Sequence, residues 1–202
     1  MIILFGLAGS GKGTQGNALA ELFGWRTLSV GQAIRDTGDY QEIINRGDLI
    51  PDEDVIKLMD KQIAKTEAEG YDVILDGYPR TVAQAKYIAE HLASQVKGAI
   101  ILDVPKEELY QRLALRAEFE SRDDDKERAS IDRRFEVFEQ NISSILPLLE
   151  AKNIPIAHVD GVGEIDEVTA RLVATVKKMD KDATIQEQDV NNMGEIEHSY
   201  GE

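Results

Sequence analysis

Residues 6–15, Gly6-Leu-Ala-Gly9-Ser10-Gly11-Lys12-Gly13-Thr14-Gln15, narrow the possible folds of this chain more than any others. They follow the apolar run Ile2–Phe5 directly and open an amphipathic stretch. Glycines here let the backbone curl until several N–H groups point inward, the next helix adds positive potential at its N-terminus, and a lysine neutralises terminal phosphates. The alternative is a glycine-rich strand-to-helix turn that binds nothing, and a lysine at this offset argues against it. The motif departs from the general G-x-x-x-x-G-K-[ST] form, because Gly13 fills the hydroxyl position and Thr14 follows.

Further along, short apolar runs at Ile2–Phe5, Thr27–Val30, Val73–Leu75, Ala99–Val104 and Ile154–Val159 read as buried strands. Helical periodicity predicts helices over Lys12–Phe23, Asp52–Glu69, Val82–Ala93, Lys106–Arg116, about Lys126–Lys152, and Glu164–Met179. Strands alternating with helices predict an α/β fold with a doubly wound, parallel, five-stranded sheet. Two segments interrupt the alternation. Residues Gly31–Asp52 hold several glycines and Pro51, and Ala117–Asp125 is charged and nearly free of apolar side chains. Both read as mobile flaps beside a cleft or as plain surface connections. From about Asp180 the periodicity ends in a tail of seven acids and one lysine, expected to be disordered, residues 180–202.

Composition excludes several classes. A net charge of −15 argues against a surface that holds nucleic acid or anionic lipid. With no cysteine, disulfides and thiolate metal sites are excluded, and His91, His158 and His198 are too scattered to suggest a structural zinc. The N-terminus lacks a basic n-region and no run is long enough to span a membrane, so a soluble, cytoplasmic protein is expected.

Several side chains suit phosphoryl chemistry. Asp76 ends a predicted strand, where a carboxylate can face a nucleotide and hold Mg²⁺ directly or through water, or can simply cap a turn. Arg112 and Arg116 share a helix face, Arg122 follows the charged loop, and Arg133 and Arg134 enter the next helix. Converging guanidiniums stabilise a transferring phosphoryl group, whereas solvated helix faces paired with nearby acids are the ordinary fate of surface arginine. The Gln84 amide offers a donor and an acceptor that match N6 and N1 of adenine, or it is merely solvated.

The phosphate-loop variant GKGTQ resembles that of the nucleoside-monophosphate kinase family, adenylate kinases among them. Val73-Ile-Leu-Asp76-Gly77-Tyr78-Pro79-Arg80 is similar to that family's strand-end D-G-[FY]-P-R signature, and Gly47-Asp-Leu49-Ile50-Pro51-Asp52-Glu53 to its G-x-L-[VI]-P-D-E segment. The arginine spacing Arg112, Arg116, Arg122 resembles its short-lid members, and Asp160-Gly161 falls where its adenine-side loop lies. The resemblance spans about Met1 to Met179. It implies a P-loop kinase domain at 1–179, an acceptor-binding flap at about 31–60, a short lid at about 113–126, and transfer between MgATP and AMP to give two ADP.

By the same resemblance, Gly9, Ser10, Gly11, Lys12, Gly13, Thr14 and Arg112 bind ATP. Val30, Arg35, Ile50, Gly77, Arg80 and Gln84 bind AMP. Lys12, Arg80, Arg116, Arg122 and Arg134 serve the transfer, with Asp123 to Asp125 orienting the lid arginines. Asp76 would hold Mg²⁺ through water. Apolar spacing at Ile131-x-x-Arg134-Phe135 fits Arg134 better than Arg133. The implied partners are ATP, AMP and ADP, with no nucleic acid, no membrane and a monomeric state.

Two residues depart from the family's L-S-T-G-D-x-L-R. Val30 replaces its threonine and cannot hydrogen-bond a base, and Gln32 replaces its aspartate and cannot lend a charge to a metal's outer shell. The stretch from Arg35 to Gly47 is also short. These departures keep open a UMP/CMP-type kinase and a nucleotide-binding protein that has lost transfer. Lys12, Asp76 and the arginines argue against the second. A P-loop ATPase or GTPase switch lacks the expected hydroxyl directly after Lys12.

Overall fold

Strand β1 (Ile2–Phe5) is buried along its whole length. The alternation of a pleated strand sends Ile3 and Phe5 into one apolar layer and Ile2 and Leu4 into the other. The computed structural model describes residues 1–120 and 123–186; Arg122 and the chain from 187 onward lie outside the described residues. Strands β2 (Arg26–Ser29), β3 (Val73–Asp76), β4 (Gly98–Asp103) and β5 (Ile156–Asp160) complete a five-stranded sheet in the order β2-β3-β1-β4-β5. Every pairing is parallel, as the strand–helix alternation predicts. The central position of β1 places the glycine-rich loop at the middle of the sheet's C-terminal edge, where open α/β sheets bind ligands.

Helices cover both faces. On the face of Ile3 and Phe5 lie Ile34 of α2 (Val30–Thr37), Val55, Met59 and Ile63 of α4 (Asp52–Ala68), Ala85 of α5 (Val82–Tyr87), and Ile145 and Leu149 of α7 (Arg128–Glu150). On the face of Ile2 and Leu4 lie Leu19 and Phe23 of α1 (Lys12–Phe23) and Val168, Leu172 and Val176 of α8 (Ile165–Met179). A third, smaller cluster joins Leu109 and Leu113 of α6 (Lys106–Glu120) to Ile131 and Phe135 of α7. Among the described residues, no helix is long and apolar enough to cross a membrane.

The structure differs from the sequence expectation in four places. The segment after β2 contains helix α2 and the short α3 (Gln41–Asn45). Helix α2 buries Val30, Ala33 and Ile34, one helical face that Gly31 obscures in the sequence. Helix α6 runs on to Glu120 instead of ending near Arg116, since nothing between Ala117 and Glu120 stops a helix; a 3₁₀ turn at Asp123–Asp125 leads into α7. The helix expected over Val82–Ala93 is α-helical only to Tyr87 and continues as a π turn (Ile88–Leu92) and a 3₁₀ turn (Ala93–Gln95). Finally, the chain stays packed beyond Asp180. Ala183 and Ile185 lie against the Leu19–Leu172 cluster, and the Gln186 N–H donates to the Leu22 carbonyl at 2.9 Å.

Candidate active site

At the C-terminal edge of the sheet a cavity of about 880 Å³ opens between the glycine-rich loop, the segment 29–50, α6 and α7. The loop can lie this close to α6 only because Gly9 has no side chain. Its φ is +84°, and a Cβ there would stand 2.9 Å from Leu113 Cγ and 3.2 Å from the Leu109 carbonyl. Lys12 Nζ turns back over the loop, donating to the Gly6 and Leu7 carbonyls at 2.8 Å each and to Ser10 Oγ at 3.3 Å. Enclosure lowers the ammonium pKa to about 8. Asp76 opposes the shift, while Arg80, Arg116 and Arg134 reinforce it, so these cations share one field with Lys12.

Asp76 ends β3 with only 8% of its surface exposed, and its Oδ2 would stand 3.7 Å from a Cβ on Gly13. Among the described residues, no hydrogen bond or ion pair occupies this carboxylate, and no three His, Asp or Glu side chains converge as a metal cage. A lone carboxylate beside a phosphate loop fits Mg²⁺, which keeps most of its waters and takes its other ligands from phosphate oxygens.

Opposite the loop, Arg35 and Arg80 converge. A Cβ on Gly31 would stand 3.4 Å from a terminal nitrogen of each guanidinium. Arg80 Nε donates to the Gly77 carbonyl at 2.9 Å, and Arg35 Nη2 donates to Gln32 Oε1 at 3.1 Å. Gln32 in turn donates to Asp36 Oδ1 at 2.6 Å, which turns its oxygen toward Arg35. Gln84 is 1% exposed. Its Oε1 accepts from the Arg80 N–H at 2.8 Å and its Nε2 donates to Asp52 Oδ1 at 2.8 Å, leaving one N–H and one lone pair of the amide. Val30 and Ile50 add apolar lining.

Over the cavity stand the arginines of α6 and α7. Arg116 grips Asp125 with Nε and Nη2, at 2.5 and 2.9 Å. Arg134 donates to Asp124 Oδ2 at 3.0 Å and to Asp125 Oδ1 at 2.7 Å. Burial alone would raise the Asp125 carboxyl, but Arg116 and Arg134 together hold it below the usual carboxylate range. Arg112 pairs with Glu108 and donates to the Gly161 carbonyl at 3.1 Å, so α6 touches the loop after β5. Arg133 points elsewhere, onto Asp48.

Of the residues singled out from the sequence, Gly9 to Thr14, Val30, Arg35, Ile50, Asp76, Gly77, Arg80, Gln84, Arg112, Arg116 and Arg134 all line this cavity. Arg122 lies outside the described residues. Sequence reasoning missed Asp52, which binds Gln84 and Thr81, and the cavity face of α7 formed by Phe138, Asn141 and Ile145 beyond Arg134. The α7 face carried a signal, since 134, 138, 141 and 145 recur at helical spacing.

A parallel sheet whose central strand turns into a lysine-bearing phosphate loop, under a roof of arginines, is the P-loop kinase fold. The adenylate kinase family profile matches residues 4–154. The adenylate kinase of Thermus thermophilus is 37% identical over 186 residues, covering 87% of this chain and 96% of that protein. That of Maricaulis maris is 38% identical over 188 residues, covering 88% and 98%, and that of Micrococcus luteus is 35% identical over 186 residues, covering 87% and 89%. The chain belongs to the adenylate kinase family.

Proposed function

We propose that this protein transfers a phosphoryl group reversibly from MgATP to AMP, giving two ADP. The observation that carries the reading is that one cavity holds two separate cation sets, Lys12 with the loop amides and Arg35 with Arg80, while Arg134 acts electrostatically on both Lys12 and Arg80. Two phosphorylated ligands can therefore meet end to end. The loop amides from Gly9 to Thr14 and Lys12 hold the donor's triphosphate, and Arg112 lies along the donor nucleoside. Arg35 and Arg80 hold the acceptor phosphate beside Val30, Ile50, Gly77 and Gln84, whose remaining N–H and lone pair suit adenine. Arg116 and Arg134 spread charge off the transferring oxygens, a role for which arginine contributes on the order of 10³–10⁵ in rate. Asp76 would hold the donor's Mg²⁺ through water, and the ion would supply neutralisation of the charge between phosphates.

In this reading residues 31–60 are the acceptor flap and residues 113–126 the lid. Their closure keeps water from the phosphoryl group. Coupled ADP production with AMP, CMP, UMP and GMP as acceptors tests the proposal. AMP is expected to turn over fastest. Faster turnover with CMP or UMP would remove the role given to Gln84, and no turnover with any of the four would overturn the reading.

A further inference from the structure

Two adjacent arginines of α7 take different partners. Arg134 turns into the cavity, whereas Arg133 Nε donates at 3.0 Å to Oδ1 of Asp48, in the acceptor flap. Arg46 Nε lies 3.4 Å from the other Asp48 oxygen, so the carboxylate bridges an arginine of its own segment and one of α7. Beside this pair the backbones meet more closely than any side chain would permit. Gly47 has φ +77°, and a Cβ there would stand 2.6 Å from the Ser130 carbonyl and 3.1 Å from Arg134 Cγ. Along the same seam, Ser130 Oγ and Arg134 Nε are buried with no hydrogen-bond partner among the described residues. The shut seam thus combines a favourable, half-exposed ion pair with two stranded polar atoms that water would satisfy on opening. Opposing terms of this kind leave closure nearly balanced, which suits a part that must open once per turnover.

We propose that Arg133 is a positioning residue that latches the flap. Through Asp48 it seats Gly47 against Ser130 and Arg134, so that the flap shuts on the acceptor with Arg134 in place. The inference rests on the function proposed above. It differs from it in assigning Arg133 no contact with nucleotide.

The chain has no cysteine, so a spin-label pair at Glu42→Cys and Glu150→Cys, both exposed, reports the distance from flap to α7 without background labelling. Pulsed EPR is run with and without AMP, next to steady-state kinetics, on the parent, R133Q, D48N and the double variant. Each single change is expected to lower the shut population and to reduce kcat/KM for AMP about threefold to fivefold, the size of an exposed ion pair. The double variant should lose no more than either single one, and R133K should keep most of the parent's value. kcat/KM for ATP at saturating AMP should hold. Unchanged distances, additive losses, or an equal fall in kcat/KM for ATP would overturn the latch, the last by marking Arg133 as a phosphate ligand. If the parent turned over no acceptor, the proposed function would fall, while the distance measurements would still decide the latch.

Discussion

Among the described residues Lys12 forms no ion pair; its ammonium is held by carbonyls and a hydroxyl, in the field of Asp76 and of Arg80, Arg116 and Arg134. Its pKa of about 8, against 10.5 when solvated, means the unfolded chain binds the proton more tightly between those values. The group therefore opposes folding below about pH 8, and that penalty fades as pH rises toward 10.5. Lys12→Met should abolish turnover, by a factor on the order of 10³, yet raise the melting temperature at pH 7, the difference shrinking in melts at alkaline pH. A polyphosphate ligand restores the ammonium's ordinary preference for its proton, so binding at pH 8.5 should take up protons. Calorimetry in two buffers of different ionisation enthalpy reads this directly. The placement of Lys12 at the glycine-rich loop was legible from sequence because the loop's own glycines and the lysine lie within ten residues of one another. The engagement of Gln84 was not. Its partner Asp52 is 32 positions away and reaches it only because the start of α4 meets the turn after β3.

At the scale of elements, α6 and α7 are tied across the 3₁₀ turn by one buried carboxylate. Asp125 receives hydrogen bonds from both Arg116 and Arg134. Asp125→Asn would remove the charge that Arg116 and Arg134 share, while Arg134 keeps Asp124, and breaking a buried pair outright costs about 3–5 kcal/mol. Arg116 is partly exposed and Arg134 retains Asp124, which places this one at about 3 kcal/mol or below. A lower urea midpoint with unchanged slope is the expected outcome. Because the folded Asp125 pKa is depressed, its contribution is present above the ordinary carboxylate range and is lost as pH falls through the lowered value. The Asn variant should accordingly show a shallower loss of stability in acid. Element boundaries were read well where a cap or glycine marks them, as at α1, which ends at Gly24 in a left-handed conformation. They were read poorly where nothing punctuates the chain, as at the end of α6. Helix α3, with five residues and none of them buried, is too short to leave a periodic trace.

For the whole molecule, the five parallel strands and their flanking helices were legible because strands buried on both faces read as continuous apolar runs. The packing of Ala183 and Ile185 was not, since they are isolated apolar residues in a polar stretch. The contribution of residues 180–186 is read by comparing a chain that ends at Gln186 with one that ends at Met179. A chain ending at Met179 loses the burial of Ile185 and Ala183 and the hydrogen bond to Leu22, roughly 1–2 kcal/mol. For a domain of this size that lowers the melting temperature by about 2–8 °C, a difference that scanning calorimetry resolves.

The small apolar cluster of Leu109, Leu113, Ile131 and Phe135 stands apart from the two layers that sandwich the sheet. A core divided in this way lets one arm of the protein melt and reform while the rest stays native. Backbone amides near Leu113 and Ile131 should then exchange with deuterium through a partial opening, at a lower free energy than those of β1 and β3. Heating would soften the gripping arm first, so catalytic turnover should fail several degrees before the sheet unfolds.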